Sequence, residues 1–387
     1  MVYNGFMRLA VVMLLLFGSS SGLEACTFCA GGFAGRQTLR ERAANATMVV
    51  QGTLTQSRIG RDGISGETDF RCDHHFKIDD QLGQRPTLTI PQYLPLVGDT
   101  PREYLVFANR LKGQPDITGG VLWPSAAVEY AKKAIALPAN DPTKRLAFYF
   151  GHLESAQPAI AADAFLEFAK ASDAEITLAA KAFDAKTVRG WLADPKTPAE
   201  RIGIYCLLLG LTGDRTDIAW YRGKLGDRDE RATATLGGLL AGLTLLDANA
   251  GWQEIEAIAI DSRQPFDRRL AALGTMRYLQ GSQPGDSKPH LLKIAKPLLN
   301  GADFPDVIAE DLRQWKWWDL TAEVLEGFDK PTHAAPIIRQ AIVRYALSCP
   351  DDRSKAFVAK IRVTHAALVE RVEANLKGIA AGTTPGK

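Results

Sequence analysis

The hydrophobic period of this chain changes once, near residue 123, and that change limits what it can fold into. Before it, Thr68, Phe70, Cys72, His74, Phe76 and Ile78 alternate with Asp69, Arg71, Asp73, His75 and Lys77. A period of two with one apolar side predicts a half-buried antiparallel strand. Residues 47–58, rich in Thr and Val, and the shorter runs 88–90, 104–107 and 120–122 predict further strands. A helical piece near 37–44 precedes them. So many short strands in so little chain predict a small closed or partly open barrel.

From Pro124 onward the apolar residues recur with period 3.6. Helices are predicted over 125–137, 143–154, 160–170, 199–211, 231–246, 252–260, 267–279, 288–299 and 335–348, with Thr197 and Asp267 as N-caps. Arg201, Arg231 and Arg269 each begin a similar apolar helix, at spacings of 30 and 38 residues, and Arg339 begins a fourth. Such spacing suits two-helix repeats, which bury their apolar faces only by stacking on neighbours. The expected fold class is therefore α+β and multidomain. A signal peptide (1–25) precedes a small β domain (26–122), a large all-α repeat domain (123–380) and a disordered tail (381–387).

The signal-peptide expectation rests on Arg8, the apolar run 9–17 and the small-residue patch Gly18-Ser19-Ser20-Ser21-Gly22. That run is about half the ~20 residues needed to span a bilayer. The expectation is an exported chain without a membrane span, in a periplasmic, cell-envelope or secreted setting. Leu23-Glu24-Ala25-Cys26 resembles a bacterial lipoprotein box that would acylate Cys26, although Glu24 stands where a small or apolar residue is usual. Cleavage after Ala25 or Gly22 is the favoured alternative. Lys and Arg number 46 against 44 Asp and Glu. This near balance argues against a dedicated nucleic-acid binder.

Three of the five cysteines lie in the β region. Cys26 and Cys29 form a C-x-x-C, and Cys72 is followed two residues later by His74. Strand alternation would place Cys72 and His74 on one face and leave His75 solvated. The four residues Cys26, Cys29, Cys72 and His74 suit tetrahedral zinc, the one cofactor considered. An exported C-x-x-C also suits a disulfide, Cys26–Cys29 or either one to Cys72, or thiol exchange. Cys206 lies in an apolar helix and is expected to be buried, while Cys349, before Pro350, is expected to be semi-exposed.

Trp315, Trp317 and Trp318 form a candidate interaction surface, with core packing as the alternative. On a continuous helix Trp315 and Trp318 would share a face without Trp317. Asp163 and Glu167, four residues apart on a predicted helix, are expected on a solvated face. No phosphate loop, dinucleotide fingerprint or H-E-x-x-H occurs, and no catalytic residue is assigned.

Cys26-Thr-Phe-Cys29, the run Ala43–Gly52 and Glu103-Tyr-Leu-Val-Phe-Ala108 together resemble the netrin-like, metalloproteinase-inhibitor-like OB-fold domain. The remainder looks like HEAT-type repeats, an arrangement similar to uncharacterised exported bacterial proteins. The resemblance implies an OB-like barrel. In that family an N-terminal Cys can present its amine and carbonyl to a protease zinc, here Cys26 after cleavage at Ala25. The functional expectation is an exported, non-catalytic scaffold that recognises a protein partner of unknown identity through its helical surface. An inhibitor-like module acting through Cys26 and a thiol-redox or zinc site are the alternatives.

Overall fold

The protein is described from a computed structural model, over residues 26–29, 35–96, 102–227 and 230–382. The predicted signal segment, its cleavage or acylation point, and residues 383–387 of the predicted tail lie outside the described residues. The chain divides into two compact units, Cys29–Asp194 and Met1–Phe28 with Pro195–Lys387.

The first unit contains α1 (Leu39–Asn45), β1 (Met48–Ile59), β2 (Gly66–Lys77), β3 (Thr87–Ile90), β4 (Glu103–Leu111) and β5 (Gln114–Leu122). It continues with α2 (Val128–Ala136), α3 (Pro142–Phe150), α4 (Pro158–Lys170), α5 (Asp173–Ala179) and α6 (Ala185–Ala193). The strands form one antiparallel sheet in the order β3-β2-β1-β4-β5. Strands β1 to β3 make a meander and β4 returns beside β1, a Greek-key order with β5 added outside.

The sheet does not close into a barrel, which corrects that expectation. Closure would pair β3 with β5, and β3 is only four residues long. Strands must also tilt and stagger to close, and so short a strand offers little length for that. Both faces of the sheet are covered instead. Met48, Val50, Phe70, Leu88, Val106 and Ala108 pack with Leu82 on one side. Val49, Leu105 and Phe107 are equally buried on the other, where the Arg42 guanidinium of α1 lies 5.8 Å from the Phe107 ring centre.

One irregularity in the sheet bears on the candidate ligands. Gln51 pairs with His74 but the next residue, Gly52, pairs with Cys72, so Asp73 is bulged out. A Cβ on Gly52 would lie 1.8 Å from the Arg71 carbonyl oxygen, so only glycine fits opposite this bulge.

The second unit is helical. It comprises α7 (Ala199–Thr212), α8 (Ile218–Leu225), α9 (Glu230–Leu246), α10 (Ala248–Ile260), α11 (Phe266–Ser282) and α12 (Pro284–Asn300). After these come α13 (Pro305–Trp315), α14 (Thr321–Glu326), α15 (Pro336–Ser348), α16 (Asp352–Thr364) and α17 (Ala366–Gly382). Helices α7, α9 and α11 pack side by side, as do α13 and α15, while α10, α12, α14 and α16 form a second row against them. Helix α7 starts behind Pro198 and α11 at Phe266, so Thr197 and Asp267 are not the N-caps. Asp267 lies inside the first turn of α11.

Successive pairs are tied by ion pairs at a common separation. Arg269 meets Asp303 at 2.6 Å, Arg277 meets Asp311 at 2.8 Å and Arg344 meets Glu310 at 3.2 Å, each pair 34 residues apart. Arg269, predicted to begin a repeat, is a buried brace, with its Nε also donating to the Ala259 carbonyl.

Helices α7 and α9 touch backbone to backbone. A Cβ on Gly238 would lie 2.1 Å from the Gly203 carbonyl oxygen, and one on Gly210 would lie 2.4 Å from the Gly242 Cα. Gly274 on α11 has open space instead. Gly238→Ala is expected to destabilise the protein by about 2–3 kcal/mol through overpacking. Gly274→Ala is expected to stabilise it by about 0.5–1 kcal/mol through helix propensity. Urea-unfolding midpoints of the two variants should move in opposite directions.

Candidate functional site

Cys26 and Cys29 are both disulfide-bonded, and Cys72, Cys206 and Cys349 carry free thiols, so Cys26 and Cys29 are each other's partner. Cys26 is buried and Cys29 half-buried. Cys72 packs at the margin of the sheet core. Burial, reinforced by the Asp73 carboxylate, pushes its thiol up to about 11. The bulge at Asp73 breaks the alternation expected to join Cys72 to His74: His74 is exposed, and His75 is the ring held in place, 3.0 Å from the Arg85 carbonyl oxygen. No group of three or more His, Cys, Asp or Glu placed to share a metal ion occurs among the described residues. The four predicted ligands are thus not assembled as a zinc site in this oxidised form.

Cys206 is fully buried, and Cys349 is also buried rather than semi-exposed, with its sulfur 3.7 Å from the Thr321 hydroxyl.

The tryptophans are arranged differently from a continuous helix. Helix α13 ends at Trp315 because Lys316 adopts the left-handed conformation, φ 57°. The Trp317 N–H then donates back to the Leu312 carbonyl, the closing bond of a Schellman turn. This reversal brings the Trp315 and Trp317 rings to 4.8 Å, while Trp318 turns edge-on to Tyr345 at 5.0 Å. Lys288 of α12 lies 5.3 Å from the Trp317 ring centre and pairs with Asp319 at 2.9 Å. Trp315 and Trp317 remain partly exposed. The surface is a two-ring aromatic pair edged by a cation.

The most concentrated chemistry lies where a solvated face was expected. Asp163 and Glu167 are 8% and 3% exposed, so α4 has no solvated acidic face. One Asp163 oxygen accepts the Tyr130 hydroxyl at 2.7 Å and the other accepts the Leu39 N–H, at the start of α1, also at 2.7 Å. Glu167 meets Arg40 of α1 at 3.3 Å and Arg145 of α3 at 3.8 Å, and Arg145 continues to Glu175 at 2.8 Å. The Tyr149 hydroxyl faces Glu167 as well. Burial pushes Asp163 up to about 6, against the opposing pull of the Leu39 N–H and the Tyr130 hydroxyl. Burial, together with the two carboxylates, raises both tyrosines well above their ordinary range.

These groups bond one another and the backbone, so the network clamps α1 to α2, α3 and α4. The signal for it was present in the sequence. Pro158-Ala-Ile-Ala-Ala-Asp-Ala-Phe-Leu-Glu-Phe-Ala-Lys170 is apolar all round, and such a helix is enclosed with its few charges paired.

Comparison with protein-family models, with curated proteins and with solved structures found no match.

Because the folded state favours protonated Asp163, stability should fall as pH rises from about 4 to about 6 by on the order of 3 kcal/mol. Asp163→Asn keeps an acceptor for the Leu39 N–H and should flatten that dependence in chemical-denaturation series. Cys72 should react with iodoacetamide at pH 8 about a hundredfold more slowly than a free cysteine in an unfolded control, since thiolate is the reacting species.

Proposed function

We propose that this chain is an exported, non-catalytic interaction scaffold whose helical unit recognises a protein partner. In this reading the helical unit is a HEAT-like array and the sheet an open relative of the netrin-like OB fold. The alternating helix rows and the ion pairs 34 residues apart support the first assignment. The Greek-key strand order supports the second, since the OB fold is a partly open Greek-key barrel.

The observation that carries the functional reading is the Trp315–Trp317 pair. Core packing would bury both rings, yet both stay partly exposed, brought together at 55° to one another by the helix end and edged by Lys288. Tryptophan is among the residue types that dominate protein-recognition energies. Asp163 and Glu167 are meanwhile engaged by the Tyr130 hydroxyl, the Leu39 N–H, Arg40 and Arg145. An inhibitor-like action through Cys26 would need an open N-terminal amine there, and a buried Cys26 gives that reading no support.

Affinity capture from an exported-protein fraction with the wild type and with W315A/W317A tests the proposal. A partner retained by the wild type and lost at least tenfold by the variant, with an unchanged circular dichroism spectrum and melting point, is the expected outcome. Equal retention by both proteins, or turnover of a substrate by the purified chain, would overturn it.

A further inference from the structure

The short loop closed by the disulfide ends in a buried aromatic ring. Phe28 is 8% exposed while Thr27 beside it is open to solvent. The Phe28 ring stands edge-on to Tyr278 of α11, with centres 5.0 Å apart. Two glycines form the rest of its seat. A Cβ on Gly203 of α7 would lie 2.6 Å from the Phe28 carbonyl oxygen, and one on Gly237 of α9 would lie 3.1 Å from its ring. Three consecutive members of one helix row thus contribute to a slot that only small residues leave open, and the chain's own N-terminal segment fills it.

We propose that Phe28 is a redox-released plug: the Cys26–Cys29 disulfide holds it in the α7–α9–α11 slot, and reduction by a dithiol frees the slot. The proposal deepens the scaffold reading, on which it rests for the slot's use, by naming a second contact surface and its control. An aromatic side chain of a partner segment is the occupant that fits, because the slot already holds one against Tyr278 and Gly237.

The chemistry balances with one dithiol. One of its thiolates attacks the sulfur of half-exposed Cys29, and the Cys26 sulfur leaves and takes a proton. The second thiol then resolves the mixed disulfide, so that the dithiol is oxidised to a disulfide and the protein gains two electrons and two protons. The physical effect is on the undocked ensemble. A disulfide closing a four-residue loop restricts that ensemble by up to about twentyfold by chain-entropy reasoning, so reduction raises the undocked population by up to that factor. An exported protein starts from the closed form.

Amide hydrogen exchange on the full chain tests this. The wild type is compared oxidised and after treatment with dithiothreitol, beside F28A with its disulfide intact and C26S/C29S. Reduction should speed exchange in α7, α9 and α11 around Gly203, Gly237 and Tyr278 by up to about twentyfold. F28A should show that faster exchange while oxidised and gain nothing further on reduction. Should C26S/C29S fail to fold, reduction of the folded wild type supplies the same comparison. Equal exchange in oxidised and reduced wild type, with F28A faster than both, would overturn the redox control. An F28A identical to the oxidised wild type would overturn the plug itself. Neither readout uses the partner captured through Trp315 and Trp317, so failure of the scaffold reading is seen separately.

Discussion

Backbone contact between α7 and α9 is the constraint from which the helical unit is built. Glycines at 203, 210, 238 and 242 let the two helices approach closer than any side chain would allow. Close approach increases dispersion contact along both helices and leaves no space for alternative registers. Gly203 and Gly237 of these helices also lie against the Phe28 backbone and ring. Farther along the unit, where α11, α13 and α15 succeed one another, charged cross-links replace glycine contacts. Arg269, Arg277 and Arg344 span neighbouring pairs, and their partners Asp303, Asp311 and Glu310 hold the spacing. Breaking one partner of such a pair leaves a buried charge without compensation, which fixes the register more by penalty than by net attraction.

The first unit solves a different problem. Its sheet is too short on one edge to close; Leu82 and the sheet's own residues pack over one face, and α1 reaches the other. Helix α1 is short and by itself has little tendency to persist. The Asp163 carboxylate at its first turn, the Thr38 and Glu41 capping box, and the Arg40–Glu167 pair anchor it. A carboxylate at a helix N-terminus satisfies an N–H that has no partner within the helix. Burying Asp163 is costly, and the shift of its protonation range is the measure of that cost. The acids of α4 are therefore structural groups with a pH signature, and they draw the unit's ionisable chemistry inward.

Much of this architecture was legible from periodicity. The strand cores around Val49, Phe70, Leu88 and Val106 and the change of period near Trp123 follow from the placement of apolar residues, and burial reads that pattern directly. What stayed hidden arises where one residue breaks a period. The bulge at Asp73 depends on Gly52 in the neighbouring strand, a contact with no local trace around Cys72 and His74. The end of α13 depends on Lys316 taking a left-handed conformation that a non-glycine residue signals poorly. Both breaks fall within the predicted sites: the alternation that would put His74 beside Cys72 is interrupted, and Trp315 pairs with Trp317 rather than with Trp318. Closure of the barrel was overestimated for a related reason, since strand count is visible in sequence but the reach of β3 toward β5 is not.

The two aromatic features of the helical unit differ in a way that bears on function. Trp315 and Trp317 sit at a helix end, partly exposed, with Lys288 able to contribute a cation–π contact at a wet rim. Phe28 sits buried against glycine backbone and Tyr278. A rim pair adds affinity without requiring any rearrangement of the protein. A filled slot can bind only after its occupant leaves, which lowers apparent affinity by the fraction of slots that are empty. In the proposed reading one surface is constitutive and the other conditional, the condition being the covalent state of the loop that carries Phe28. The three cysteines of the N-terminal region are consequently in different situations: Cys26 and Cys29 close the loop that carries Phe28, and Cys72, with its thiol held protonated, packs against the sheet's core.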